Sequence, residues 1–494
     1  MKPFDTRYDV VVVGAGNAGL SAALEAMDQG ASVLVLDRGT EEGRGGNTRF
    51  TAGAVRFAFD NVDQLVDLVP DLSDEELARI DFGTYPVDAF FGDLARITKY
   101  RSDPELADLL VRNSYEAMQF WHRNGVRFTP AFRRQAFEID GKFTFWGGIV
   151  LETVGGGPGL VEALFAAASA AGAQVAYDTR AIELLYDHKR VNGVRVVHDG
   201  EMYDVESGAV VLAAGGFQAN SEWRTRYLGA GWDLAKVRGT WANTGDGIRM
   251  ALDIGASPAG HWSGSHAVPW DLNAPEFGDL RIGDQFSKLS YPLGIMVNAD
   301  GSRFLDEGAD FRNFTYAKYG KEIISQPDQF AWQIFDDKPT DLLRDEYNIM
   351  EATRVRADTL EGLVAKMDGV DPEATLATIH AYNEAIDDAV PFNPNVKDGR
   401  GTVGLDVPKS NWATKLDTPP YSAYAVTCGV TFTFGGLRID EHARVLTQDA
   451  KPIPGLSAAG ELIGGLFYHN YPGGSGLSAG TVFGRIAGAT AAAG

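Results

Sequence analysis

Apolar residues are arranged along this chain in two styles. Near the start, 10–13 is an unbroken valine run followed by Gly14, Gly16 and Gly19. A continuous β-branched run suits a parallel strand covered on both faces, and the small residues after it predict a turn into a helix over 18–29. Gly30 closes that helix, and 32–36 reads as a second strand. Residues 60–126 carry apolar positions at helical spacing, with Ser73-Asp74-Glu75-Glu76 as a capping-box start, and form scaffold. After a segment at 124–148 that suits a pocket lining and a hairpin over the core equally, the pattern predicts a helix over 160–171. Strands follow at 174–177, 182–186, 191–197 and 209–212, then a short helix over 248–254. From 261 to about 412 the chain changes character, with many aromatics and a mixture of strands and helices. The last 80 or so residues return to the first style and end in a helix over 478–493. No internal repeat is visible.

The three glycines have separate uses. Gly14 permits a tight turn, Gly16 lets the backbone approach a pyrophosphate, and Gly19 lets the helix lie close to the sheet. The helix start at Asn17 and Ala18 offers free amides to a phosphate. Asp37 follows Gly19 at the distance expected of a carboxylate that accepts ribose hydroxyls, with Arg38 beside it. Strand, glycine turn, helix, strand and acid together predict dinucleotide binding and leave NAD and FAD both open. Helix, strand and small-residue turn recur about 200 residues later. This indicates a Rossmann-type α/β nucleotide domain that is discontinuous, spanning 1–262 and 413–494, with an inserted α+β capping domain at 263–412.

Composition narrows the function classes. The 494 residues carry a formal charge of −23, which argues against a nucleic-acid or anionic-membrane surface but permits an anionic substrate held by a few buried arginines. Cys428 is the only cysteine, so the chain has neither an internal disulfide nor a cysteine-ligated iron–sulfur cluster. No cluster has metal-ligand spacing. There is no run of about 18 apolar residues and no apolar leader, so membrane insertion is not expected and a cytoplasmic location is.

Several further motifs identify the cofactor. Gly45-Gly46-Asn47-Thr48, Ala213-Ala214-Gly215-Gly216, Gly245-Asp246-Gly247, the run ending in Gly460-Glu461, and 464–477 with Tyr471-Pro472-Gly473-Gly474-Ser475-Gly476-Leu477 resemble the flavin-binding signatures of fumarate reductase and succinate dehydrogenase flavoproteins. The resemblance covers nearly the whole chain, least between 55 and 150. It implies FAD, with Gly14–Gly19 and Asp37 on the ADP half and Thr179-Arg180-Ala181 on the adenine. Glu461 with Ser475, Gly476 and Leu477 would meet the ribityl chain and ring. Family members with covalent flavin carry a histidine after the first glycine loop, and Gly46-Asn47-Thr48-Arg49-Phe50 has none, so noncovalent FAD is expected.

Within that superfamily, 293–298, 303–307, 310–313 and 467–477 are most similar to tricarballylate dehydrogenases, which desaturate a tricarboxylate to cis-aconitate. Tyr471-Pro472-Gly473 is also similar to the corresponding run of 3-ketosteroid Δ1-dehydrogenases. The expected activity is therefore FAD-dependent desaturation beside a carboxylate, with a ketone-activated desaturase or enone reductase, or a fumarate reductase-like enzyme, as alternatives. Without iron–sulfur cysteines, electrons are expected to pass to a separate electron-transfer protein, a quinone-linked partner or oxygen. The likeness to tricarballylate users implies a membrane-bound iron–sulfur partner.

Four residues are the catalytic candidates. Arg312 matches, with a one-residue slip, the proton-exchanging arginine of soluble fumarate reductases; its structural alternative is an ion pair with Asp310 or Glu307. His266 corresponds to that family's substrate-binding histidine, with His261 as a neighbour. His469 and Tyr471 adjoin the flavin run. The family's substrate arginine is replaced by Tyr471, and its proton-relay Glu and Arg have no match at 287–290, which counts against a fumarate reductase. Arg133 and Arg134 are weaker carboxylate candidates, Arg303 and Glu307 are read as structural, and Cys428 as a buried filler.

Overall fold

The computed structural model describes residues 4–5, 7–132 and 134–494; the candidate Arg133 lies outside them. Strand β1 (Arg7–Val13) runs into α1 (Asn17–Asp28) and returns as β2 (Val33–Leu36). After an excursion containing α2 (Pro104–Arg123), α3 (Gly156–Ala171) leads to β3 (Gln174–Ala176). Three more strands follow, β4 (Thr179–Tyr186), β5 (Val191–His198) and β6 (Glu201–Leu212). They form one sheet in the order β4-β5-β6-β1-β2-β3. β1 lies parallel between β6 and β2, with Val10 opposite both Ala209 and Val33. Val10, Val11 and Val12 have no exposed surface, so the valine run is covered on both faces, as a central parallel strand requires.

The region expected to be helical at 60–126 holds α2 and the helix Val87–Ile97, joined by short turns and a two-residue strand at Ile80–Asp81. The capping box at Ser73 and Glu76 is formed in both directions. α2 begins on Asp103, whose carboxylate accepts from the amides of Glu105 and Leu106.

The chain next crosses to a second sheet. Its strands are β7 (Lys236–Val237), β8 (Pro258–Asp271), β9 (Ile295–Val297), β10 (Ala331–Phe335), β11 (Arg354–Ala357) and the long β12 (Tyr421–Leu437), with α4 (Tyr316–Ile324) between β9 and β10. β12 is the spine, since β7, β8, β10 and β11 all pair with it. The second sheet therefore draws on residues 236–437. β8 runs across position 262 and β12 lies beyond 412, because the two strands pair with each other along their length in the second sheet. The pairing of β8 with β12 is irregular between His266 and Ala267, a bulge that locally re-aims the strand.

The chain returns through β13 (Arg444–Leu446) and β14 (Pro452–Ala458), which pairs parallel with the end of β6, and finishes in α5 (Ser475–Ala492). α5 begins three residues before the predicted start at 478, and the difference places Ser475, Gly476 and Leu477 in a helical first turn. It lies against α1 at close range: a Cβ on Gly484 would stand 2.4 Å from the Ala18 carbonyl oxygen, and one on Gly488 2.2 Å from that of Ala22. Arg485 fastens the same helix to Glu25 at 2.9 Å and Glu116 at 3.0 Å. Asn17 Nδ2 donates to the Leu477 carbonyl over 2.8 Å, so the first turns of α1 and α5 meet. Among the described residues, no helix is long and apolar enough to cross a membrane.

Candidate active site

A single elongated cavity runs from the ends of β1, β2 and β6 to the underside of the second sheet, with about 1810 Å³ of space free of protein atoms, its open mouth included. At one end are Gly14, Gly16, Asn17, Ala18, Asp37 and Arg38, and Thr179, Arg180, Ala181, Ala214, Gly215 and Asp246 continue that wall. Gly46, Asn47, Thr48, Glu461, Gly476 and Leu477 line its middle. Beyond them stand His266, Arg312, Tyr316, Arg344, Arg238 and Tyr471.

The first end suits a dinucleotide. Gly14 holds φ at +107°, and a Cβ there would meet the Ala213 carbonyl at 2.4 Å, so only glycine makes the turn. A Cβ on Gly16 would find nothing nearer than Thr48 Oγ1 at 3.5 Å, so the missing side chain leaves room on the cavity side. Gly19 does not line the cavity; it packs behind the turn, where a Cβ would stand 1.9 Å from the Gly14 carbonyl oxygen. The Asp37 carboxylate accepts from the amides of Gly39 at 2.8 Å and Gly45 at 3.3 Å. Gly45 thus orients Asp37 rather than facing the cavity, and burial raises the Asp37 carboxyl above its ordinary value. Arg180 grips Asp246 with two bonds of 2.8 and 2.9 Å, and Arg38 reaches the same carboxylate at 3.3 Å.

Two helix N-termini open onto this cavity, α1 after Gly16 and α5 after Gly474; neither N-cap glycine can cap its helix, and side chains take one first-turn amide in each, Thr48 Oγ1 that of Asn17 and the Tyr471 hydroxyl that of Gly476. The remaining first-turn amides present N–H groups and a partial positive charge, which fits a pyrophosphate at one and an electron-rich ring edge at the other. Asn47 is fixed between the sheets, donating to Thr431 O at 2.7 Å and accepting from Thr240 N at 2.9 Å. Glu461 accepts from Thr433 N at 2.8 Å and from Gln218 at 3.2 Å, and burial pushes its carboxyl up to about 7. Ser475 is fully buried and does not line the cavity, although its hydroxyl has no partner among the described residues.

The far end is built around arginines. Arg238 pairs with Asp284 at 2.6 Å. Arg344 pairs with Glu346, and Arg134 with Glu152 at 3.0 Å and Glu346 at 3.2 Å. Although burial opposes it, Arg344 and then Arg134 hold the Glu346 carboxyl at about 2. Arg312 is different. Asp310 is taken by Arg96 at 2.7 Å and Glu307 by Arg303, so neither of its sequence neighbours neutralises it. Among the described residues the Arg312 guanidinium has no ion pair; it stands over the Trp146 ring, 5.9 Å from the centroid. Burial, and then repulsion from Arg344, push it down to about 9.

Three of the four catalytic candidates meet here. The His266 ring stacks on that of Tyr471 at 4.7 Å and 14°, and Tyr316 stands edge-on to His266 at 4.8 Å. Burial lowers His266 well below the ordinary histidine range, so it is a neutral imidazole, and its Nε2 has no partner among the described residues. The Tyr471 hydroxyl accepts from Gly476 N at 2.7 Å. His469 is the exception. It is exposed and off the cavity, with its backbone N–H donating to His261 Nδ1 at 3.0 Å. His469 itself is left-handed, with φ +62°. Arg238, Tyr316 and Arg344 carry no motif in the sequence; only the folded sheet brings them to the cavity. Cys428 is buried with its thiol pushed up to about 12 by burial, consistent with a filler. Arg303 and Glu307 are an internal pair in the second domain.

Comparison with known proteins agrees with this construction. The FAD binding domain family matches residues 9–477. The chain is 31% identical to a probable fumarate reductase, Ifc3, of Shewanella frigidimarina, over 98% of its own length and 74% of that protein's. It is 29% identical to the urocanate reductase of Eggerthella lenta, over 99% and 75% of the two chains. Among solved structures, the open conformation of a flavocytochrome c3 fumarate reductase superposes with a TM-score of 0.75 at 28% identity, covering 99% of this chain and 79% of that one. The 3-ketosteroid Δ1-dehydrogenase of Sterolibacterium denitrificans shares the fold, with a TM-score of 0.75 at 22% identity over 99% and 100% of the two chains. With nearly all of its length matched, the chain belongs to the fumarate reductase and succinate dehydrogenase family of flavoproteins and is an FAD-dependent oxidoreductase.

Proposed function

We propose that this enzyme interconverts a C–C and a C=C bond next to one carboxylate, with Arg312 holding and exchanging the proton. The observation that carries this reading is the buried, unpaired Arg312 in the cavity that cradles the dinucleotide. Bound FAD supplies hydride transfer at its N5, and the residues supply the rest. In the reducing direction the alkene gains a hydride at one carbon and a proton at its neighbour. An arginine pushed down to about 9 is a far better proton donor than an ordinary one, while still cationic at neutral pH. Arg344 and neutral His266 are placed to donate hydrogen bonds to the carboxylate as negative charge builds on it. Noncovalent attachment of FAD is part of the proposal, since the turn at Gly46–Phe50 contains no histidine.

The charge of the cavity bears on the substrate. Among the described residues, the guanidinium groups of Arg134, Arg238, Arg312 and Arg344 outnumber by one the three carboxylates they face. A tricarballylate-like substrate would bring three carboxylates to that single free charge, which costs several kcal/mol per unpaired buried ion. We therefore favour a monocarboxylate over the polycarboxylate expected from sequence. A second reading, ketone activation, rests on Tyr471: its oxygen is occupied by Gly476 N–H, and among the described residues its own O–H has no acceptor, leaving it for a carbonyl.

Anaerobic spectra test these readings. Dithionite-reduced holoenzyme mixed with acrylate should regain the oxidised flavin bands, while oxidised holoenzyme with tricarballylate should show no bleaching. Bleaching by tricarballylate would restore the polycarboxylate reading, and a response confined to a 3-ketosteroid would favour the second.

A further inference from the structure

The formal charge of −23 is not spread evenly over the surface. Lys99 and Arg101, on the loop before α2, and Lys321, on α4, are exposed and have no ion pair among the described residues. The loop is fastened to the flavin run, with Asp103 N donating to Gly465 O at 2.8 Å and Ser102 Oγ to Leu466 O at 2.7 Å. The three cations converge on His469: partial burial, and then Lys99, Arg101 and Lys321, lower its imidazole below the ordinary histidine range. The carboxylate of Asp103 is taken by the α2 amides of Glu105 and Leu106. Tyr100, between the two loop cations, is 82% exposed. Lys99 and Tyr100 are both left-handed, at φ +54° and +59°, a strained conformation for successive non-glycine residues and one that clusters at functional sites. Tyrosine and arginine are also the residue types that anchor protein interfaces.

From this face a line of rings leads inward. Tyr468, half-buried beside His469, stacks on His261 at 5.9 Å and 11°. His261 lies 6.5 Å from Phe434, Phe434 6.2 Å from Phe467, and Phe467 4.9 Å from Tyr471, centroid to centroid. Phe434 and Phe467 are buried, and Tyr471 lines the cavity with its hydroxyl on the Gly476 amide at the start of α5. Electron tunnelling falls steeply with distance, so a redox partner docks best where π-systems bridge the protein between surface and flavin. With Cys428 its only cysteine, the sequence holds no iron–sulfur ligand set of its own.

We propose that the face formed by Lys99, Tyr100, Arg101 and Lys321 is the docking site of a small acidic redox protein, which exchanges electrons with the flavin along the ring line. Charge complementarity selects the partner. At about 0.1 M salt the Debye length is about 10 Å, so a docked protein meets these cations rather than the net charge of the chain. Each reduced partner gives up one electron. Two encounters, with one proton from solvent, supply the hydride equivalent that the alkene receives, and in desaturation the same electrons leave by the same face. The inference holds for either reading of the substrate.

The probe is an acidic ferredoxin, titrated in its oxidised form into oxidised holoenzyme by calorimetry at about 0.1 M and about 0.5 M salt, so that no turnover enters the reading. Joint reversal by Lys99→Glu, Arg101→Glu and Lys321→Glu should weaken binding by about tenfold or more at the lower salt, and the higher salt should remove most of the difference. Lys189→Glu, Arg354→Glu and Lys451→Glu together, on exposed cations of other elements, make the same change in net charge and should shift Kd by no more than about twofold. Flavin reduction by reduced ferredoxin should slow in the first variant, while reduction by dithionite stays at the wild-type rate. Absence of binding to the wild type, binding unmoved by the first set of reversals, or equal weakening by both sets overturns the proposal.

Discussion

Asp310 pairs with Arg96 across 2.7 Å and 214 positions of sequence, and turns away from Arg312 only two residues on. Lys397 approaches the same carboxylate at 3.6 Å. Glu307 is likewise committed to Arg303. Both local carboxylates are thereby consumed by other cations, and Arg312 enters the cavity unneutralised. An unpaired buried charge is costly unless a ligand compensates it, which is why this one marks the substrate end.

The pH profile should report this guanidinium. Its value in the folded enzyme is depressed, to about 9, so it is cationic below that pH and loses its proton as pH rises through it. A carboxylate needs the cation and the reducing direction needs its proton. Accordingly kcat/KM for reduction should be flat through neutrality and fall above about 9. The reverse desaturation requires an acceptor at the same position, so its kcat should rise over the same interval. A reduction profile still flat at higher pH would show that Arg312 is not the donor.

The two histidines beside the flavin run should behave differently. His469→Ala should change kcat/KM by no more than about twofold, because exposed substitutions away from special features stay within about 0.5 kcal/mol. His266→Ala removes a neutral donor from the cavity and a stacking partner of Tyr471, and should cost about tenfold or more in kcat/KM. Steady-state rates of the two purified variants check this, and equal losses would show that the exposed ring reaches the substrate.

The contrast shows where sequence reasoning reaches. The cofactor end was legible because its chemistry sits in contiguous runs: Val10 to Val13 had to be a covered strand, Gly14 a left-handed turn, and Asp37 the acid after the second strand. The substrate end was not, because it is assembled from side chains with no local signature. Arg238 follows a two-residue strand, Arg344 sits in an irregular turn, and Arg134 finds its partners only after folding. The structural alternative for Arg312, an ion pair with Asp310 or Glu307, considers near neighbours in sequence, whereas the partner of Asp310 comes from another segment. The exposure of His469, beside the buried Tyr471, likewise has no signature in the local sequence.

The α1–α5 contact should be intolerant of any side chain. A Cβ on Gly484 lies 2.4 Å from a backbone oxygen that cannot move aside. Gly484→Ala should therefore cost roughly 1–3 kcal/mol, as overpacking does, and lower the FAD content of the purified protein by pushing the two helix N-termini apart. Denaturant unfolding and the ratio of flavin to protein absorbance measure both effects. An unchanged midpoint with full FAD would mean that the helices have more freedom than their spacing shows.

The most direct test of the account is single-turnover reoxidation of dithionite-reduced enzyme by acrylate in the wild type and in Arg312→Gln. If Arg312 holds the carboxylate and supplies the proton, the variant should retain its FAD spectrum and dithionite reduction while its reoxidation slows by roughly 10² to 10⁴. Reoxidation of Arg312→Gln at the wild-type rate, with the flavin bound and reducible, would contradict the account.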